Sequence, residues 1–236
     1  MALGTLLSTL SGCGGPAHPG SASGPRGRIA GSPSAPAVPA PEPTRVPGIG
    51  DRVHRRIPAG SSQVVAVYGE GRDSADSTVV LYTRRGAEWR PAGSWPAHNG
   101  RKGWTSDHRM GDERSPIGVF TLSAAGGVLA DPGARLPYDQ DENAYAPPDA
   151  WDRAHQHDFD YVIAIDYNRL PGTPPHDGTL PLGEEKGGGI WLHLDHGGGT
   201  SACVSVSREA MRYLLRTLDP ARHPVIVMGD RRTLHA

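Results

Sequence analysis

The chain has 236 residues, with 24 Lys plus Arg against 25 Asp plus Glu and a formal net charge of −1. Balanced charge without long runs of one sign excludes the electrostatic footprint of a nucleic-acid binder and a polybasic membrane patch. With 32 Gly, 23 Pro and only 2 Phe, the composition favours short strands and many turns over long helices.

Met1 to Leu10 is short and apolar, with Leu3, Leu6, Leu7 and Leu10, and runs into Leu10-Ser11-Gly12-Cys13. It falls far below the ~20 apolar residues that span a bilayer. It resembles the lipobox of bacterial lipoproteins, in which a signal is cleaved before a cysteine that becomes lipidated. The resemblance implies a signal peptide over 1–12, a lipid anchor at Cys13 and residence on the outer face of the cytoplasmic membrane, facing the cell wall.

From Gly14 to about Gly48 the sequence is mostly Pro, Ala, Gly and Ser, a composition that cannot bury enough apolar surface to fold. Residues 13–48 are therefore read as the lipidated cysteine and a tether. Its recurrent prolines favour an extended chain of ~3.1 Å per residue, a reach on the order of 100 Å. Residues 49–236 are enough for one domain. Cys13 and Cys203 each have a separate local context, so no disulfide is expected.

Within that domain, Gln63 to Tyr68 (QVVAVY) and Thr78 to Thr83 (TVVLYT) are β-branched runs bounded by Gly, Asp and Ser, the pattern of strands joined by a turn. Ile117 to Leu122, Tyr161 to Asp166, Ile190 to Leu194, Cys203 to Val206 and Val225 to Met228 repeat it. One clear helix is predicted late in the chain. Ala210, Met211, Leu214, Leu215 and Leu218 share one face, Ser207 can cap the start, and Pro220 blocks continuation. The fold class is mainly β, a sandwich or barrel with one late α-helix.

The chemistry concentrates in Gly187 to Val206, GGGIWLHLDHGGGTSACVSV. A strand carrying His193 ends in a glycine-rich loop that returns to a strand carrying Cys203. A free thiol is only a few per cent thiolate at neutral pH, so a cysteine nucleophile needs a nearby base or cation. His193, ten positions upstream, is the candidate base, and His196 in the loop is the alternative. Attack on an amide creates an oxyanion, which backbone N–H groups at Ala202 and Cys203 can stabilise. Thr200, Ser201 and Ala202 form the loop that would shape this hole.

These residues resemble the catalytic domain of the L,D-transpeptidases, the YkuD-like family. In that family a strand ends in a base histidine and a Ser/Thr-x-Gly-Cys segment carries the nucleophile, matched here by His193 and Thr200-Ser201-Ala202-Cys203. Gly111-Asp112, Ser115-Pro116-Ile117-Gly118-Val119-Phe120 and Asp166-Tyr167-Asn168 resemble its GD, TPxGxF and DYN motifs. The short-loop lipoprotein branch of high-GC Gram-positive bacteria is the nearest in phrase. The sequence departs from the pattern at Ala202, usually Gly, at Ser205, often Arg, and at Ser201, often His. If the residue before the cysteine requires a positive φ, Ala202 is strained and reshapes the oxyanion hole.

The resemblance implies acyl transfer on peptidoglycan stem peptides. The Cys203 thiolate attacks the carbonyl between an L-centre and D-Ala, D-Ala leaves, and an amine resolves the thioacyl enzyme into a 3-3 crosslink. Water in place of the amine makes the same site an L,D-carboxypeptidase. The chemistry requires no cofactor or metal, and the protein is expected to act as a monomer. Arg208 and Arg109 are candidates for binding a substrate carboxylate. Two other readings stand beside this one: a non-catalytic peptidoglycan-binding lipoprotein, motivated by Ala202, and a zinc D-Ala peptidase, motivated by His155, His157 and Asp158 together with His193 and His196.

Overall fold

Seven consecutive buried residues, Gln63–Gly69 (β1), form the centre of the fold, and their side chains divide between two cores. Val65 and Val67 enter the larger core, whereas Val64, Ala66 and Tyr68 enter the smaller one, as the two-residue period of a strand requires. The structure, a computed structural model, describes residues 44–236. The expected signal peptide, Cys13 and nearly all of the tether lie outside the described residues.

After β1 come β2 (Asp76–Arg85), β3 (Glu88–His98), β4 (Trp104–Thr105), β5 (Ser115–Pro116), β6 (Gly118–Thr121), β7 (Ala125–Gly127) and β8 (Tyr138–Gln140). They are followed by β9 (Val162–Ala164), β10 (Trp191–Leu194), β11 (Val204–Val206) and β12 (Val225–Asp230). The helices are α1 (Asp51–His54), α2 (Arg208–Thr217) and α3 (Arg231–His235). One ten-stranded sheet runs β6-β12-β1-β2-β3-β11-β10-β9-β7-β8, and β4 pairs with β5 separately. The mainly-β class with a late helix is borne out. No helix among the described residues is long and apolar enough to cross a membrane.

Helix α2 forms where its periodicity predicts. Ser207 caps it by accepting from the Ala210 N–H, and Ala210, Met211, Leu214 and Leu215 are buried along one face. Each fully buried Leu or Met side chain contributes about 1.5–3 kcal/mol of transfer free energy. The smaller core joins α1, α3 and the far face of β1, β2 and β12, and packing there reaches back to Val46.

The segment 63–97 belongs to the main sheet. β3 carries Pro91 and Pro96, which donate no ladder hydrogen bond, yet it pairs along β2 and then hands over to β11 through Ser205↔His98 and Val206↔Ala97. That handover joins the first half of the sheet to the strands that carry the glycine-rich loop.

Candidate active site

β10 and β11 run parallel with His193 opposite Ser205. Side chains alternate along a strand, so His193 points away from the core that Leu192, Leu194, Val204 and Val206 fill, and Cys203 immediately precedes β11. His193 and Cys203 both line one cleft of about 360 Å³. Thr200, Ser201 and His196 line it too, together with Arg101, Trp151, Asp152, His155, Asp158 and Phe159.

His193 is only 3 % exposed. Its Nδ1 lies 2.8 Å from the Leu194 carbonyl oxygen, and because a carbonyl only accepts, Nδ1 carries the proton. Nε2 is left with its lone pair, the tautomer a general base needs. Phe159 meets the ring edge-on at 5.5 Å between centroids. Burial pushes the His193 pKa down to about 4, against a smaller upward pull from Asp158.

The Cys203 sulfur is held by backbone. The Trp191 N–H donates to Sγ at 3.4 Å, and the thiol approaches the Gly189 carbonyl oxygen at 3.5 Å. Burial pushes the thiol up to about 11, the Trp191 N–H pulling the other way. Burial thus favours the uncharged form of both groups. Cys203 is a free cysteine.

The loop before Cys203 is fastened at several points. Thr200 bridges to Gly100, its N–H donating to Asn99 O at 2.9 Å and its carbonyl accepting from the Arg101 N–H at 2.7 Å. Its hydroxyl donates to Cys203 O at 2.7 Å. Ser115 Oγ donates to Ala202 O at 2.6 Å and lies 3.1 Å from Cys203 O. In a trans peptide the carbonyl and the following N–H point opposite ways, so anchoring Ala202 O aims the Cys203 N–H away from Ser115. Gly199 is required by space: a Cβ there would come within 2.6 Å of the Arg101 backbone.

Ala202 is 7 % exposed and is not among the residues with positive φ. The strain expected if that position demanded a left-handed backbone is absent. Ser205, at the position where Arg is common, donates to Asp195 Oδ1 at 2.7 Å, and His98 Nδ1 lies 2.7 Å from the same oxygen. Burial raises the Asp195 carboxyl, but the His98 and Ser205 bonds outweigh it and hold the group below its usual range.

The other motif residues act as latches. Asn168, with φ 45°, donates to Gly183 O at 3.0 Å and accepts from the Leu182 N–H at 2.6 Å. Asp166 accepts from Thr121, Ser123 and Arg169.

With this geometry, the sequence pattern of the YkuD family, the L,D-transpeptidase catalytic domain, matches residues 54–227. The chain belongs to that family. Among solved structures, this L,D-transpeptidase family member is similar to the helical cell shape determining protein Pgp2 from Campylobacter jejuni, at 14% identity and a TM-score of 0.43, over 74% of this chain and 50% of that one. It is also similar to Bd1075 from Bdellovibrio bacteriovorus, at 20% identity and a TM-score of 0.41, over 80% of this chain and 53% of that one. The chain spans about half the length of each. No curated protein matches it.

Some expected residues of the L,D-transpeptidase site lie elsewhere. Arg208 pairs with Asp160 and Arg109 with Asp107; neither lines the cleft, whereas Arg101 does. The two histidine pairs of the zinc reading do not converge as a set. His157 is 75% exposed by side chain and faces Asp160, and His193 spends Nδ1 on Leu194. His155, Asp158 and His196 do come together. The cleft residues Arg101, Trp151, Asp152 and Phe159 carried no signal in the sequence beyond their residue type, because only the folded chain brings their segments to the Cys203 loop.

Proposed function

We propose that this L,D-transpeptidase family member transfers the acyl group of a peptidoglycan stem peptide through a thioacyl intermediate on Cys203. The observation that carries the reading is that His193 and Cys203 line one cleft, with the imidazole tautomer fixed by Leu194 O. As Sγ attacks the carbonyl between the L-centre and D-Ala, the thiol proton passes to His193 Nε2. The tetrahedral oxyanion is stabilised by backbone N–H groups of the Ala202–Cys203 segment, whose carbonyls are tied back by Ser115 and Thr200. The imidazolium then protonates the leaving amine of D-Ala. An incoming amine, deprotonated by His193, attacks the thioester and releases Cys203 with a 3-3 crosslink; water in its place gives the shortened stem.

A buried thiol with a raised pKa is a weak nucleophile until its proton is removed. Concerted transfer to an imidazole whose own pKa is depressed delays charge separation until substrate is bound and water is excluded. The non-catalytic reading was motivated by strain at Ala202, and Ala202 has none. His196, the alternative base, lines the same cleft with its Nδ1 3.1 Å from Asp158 Oδ2.

We further propose that lipidation at Cys13 anchors the chain to the outer face of the cytoplasmic membrane and that residues 13–48 let the catalytic domain reach the wall; the Leu10-Ser11-Gly12-Cys13 phrase and the Pro-rich composition support this. The test of the function is incubation with a disaccharide-tetrapeptide. D-Ala release with dimer formation in the wild type, and neither in Cys203→Ser, is expected. Equal activity in the two proteins would overturn it.

A further inference from the structure

Beside the thiol, the cleft contains a second cluster that the acyl-transfer reading leaves unused. His155 Nδ1 lies 2.9 Å and His196 Nδ1 3.1 Å from the same oxygen, Asp158 Oδ2. One ligand atom from each of the three residues lies within 4.8 Å of the others. They come from two segments: residues 155–158, and the glycine-rich loop after β10. The segments are tied by the Leu194 N–H donating to Asp158 O at 2.9 Å.

Ion pairing alone does not account for the cluster. Asp158 is 3 % exposed, yet its Oδ1 has no hydrogen-bond partner, and neither does His196 Nδ1 despite its approach to Oδ2. A buried unsatisfied polar atom costs about 1–3 kcal/mol, and here two belong to residues that line the same cleft. Two imidazoles and a carboxylate with a side open to solvent are the donor set of three-ligand zinc sites, which leave a fourth position for water. Tetrahedral zinc at 2.0–2.1 Å from each ligand needs ligand atoms about 3.3 Å apart. Both nitrogen-to-oxygen separations are close to that, and the remaining closure is within reach of side-chain rotation.

We propose that His155, Asp158 and His196 form a binding site for a divalent transition-metal cation of the zinc class, completed by water on the cleft side. The site is distinct from the Cys203 and His193 pair: His193 is not a ligand, and its ring stands 6.1 Å from that of His196 between centroids. A divalent cation there would add positive charge to a cleft that Asp152 and Asp158 also line.

The test is calorimetric titration of Zn²⁺ into the untagged full chain carrying Cys203→Ser, so that neither the thiol nor its acylation contributes. The proposal expects saturable binding of one ion per chain. Losing a ligand should weaken binding at least as much as the 10–100-fold typical of outer-shell losses, so His155→Ala and His196→Ala should each weaken it by about tenfold or more. His157→Ala, a neighbouring imidazole outside the cluster, should not. His196→Ala changes only a loop residue, and near-ultraviolet circular dichroism checks that each variant is folded. Absence of saturable binding in the Cys203→Ser chain, or binding indifferent to both His155→Ala and His196→Ala, overturns the proposal. Either result leaves the acyl-transfer reading untouched, because that reading is tested on the thiol.

Discussion

The Ser115 hydroxyl donates to the Ala202 carbonyl at 2.6 Å, fastening the loop before Cys203 to a motif 87 residues upstream. Ser115 Oγ also accepts from the Gly100 N–H at 2.8 Å, so one buried side chain joins β5, the turn after β3 and the Cys203 loop. Ser115→Ala leaves these groups without that partner and should cost about 1–3 kcal/mol in urea unfolding. It should also slow acylation by a β-lactam of the carbapenem class by about tenfold or more, since a misaimed oxyanion donor is worth 10²–10³ when lost outright. Unchanged rates would mean that the Ser115 bonds do not orient the hole.

Cys203 should titrate as a buried thiol. With its pKa pushed up to about 11 by burial, the thiolate fraction rises tenfold per pH unit across the neutral and mildly alkaline range. The rate of alkylation by iodoacetamide should follow with the same slope. A rate that is already flat below pH 7 would reveal a preformed thiolate–imidazolium pair and contradict the neutral resting state.

His193 links activity to acid stability. Its folded pKa of about 4 lies below the unfolded 6.5, so between these values the unfolded chain binds more protons and stability falls as pH falls. The loss begins near pH 6.5 and is complete below about pH 4, reaching about 3 kcal/mol. His193→Gln should flatten that part of the pH–stability curve and lower turnover by about 10²–10⁴. A variant whose acid sensitivity equals that of the wild type would show that His193 does not carry this proton linkage.

Ala202→Gly tests the departure from the family pattern. Ala202 is buried with ordinary backbone angles, so the change relieves no strain and adds unfolded-state entropy. A loss of about 0.5–1 kcal/mol is expected, with acylation rates little changed. A large gain in rate would mean that the Ala202 side chain obstructs substrate.

Elements with a strong local pattern were legible in the sequence. α2 carries both its apolar stripe and its Ser207 cap, and β1 and β2 are β-branched runs. β3 was not legible, because Pro91 and Pro96 interrupt its pattern and its partners β2 and β11 supply the reason it is extended. β7, with the sequence AGG, is a strand only through pairing with β8 and β9. α1 and α3, of 4 and 5 residues, are too short to show a period. At the site, His193 and Cys203 announce themselves by spacing, whereas Phe159 and Arg101 reach the cleft only through tertiary contacts.

Intact-protein mass spectrometry after exposure to a carbapenem tests the covalent role of Cys203 most directly. One adduct per chain is expected on the wild type and none on Cys203→Ser. A wild type that stays unmodified, or a Cys203→Ser protein that is modified to the same extent, would contradict it.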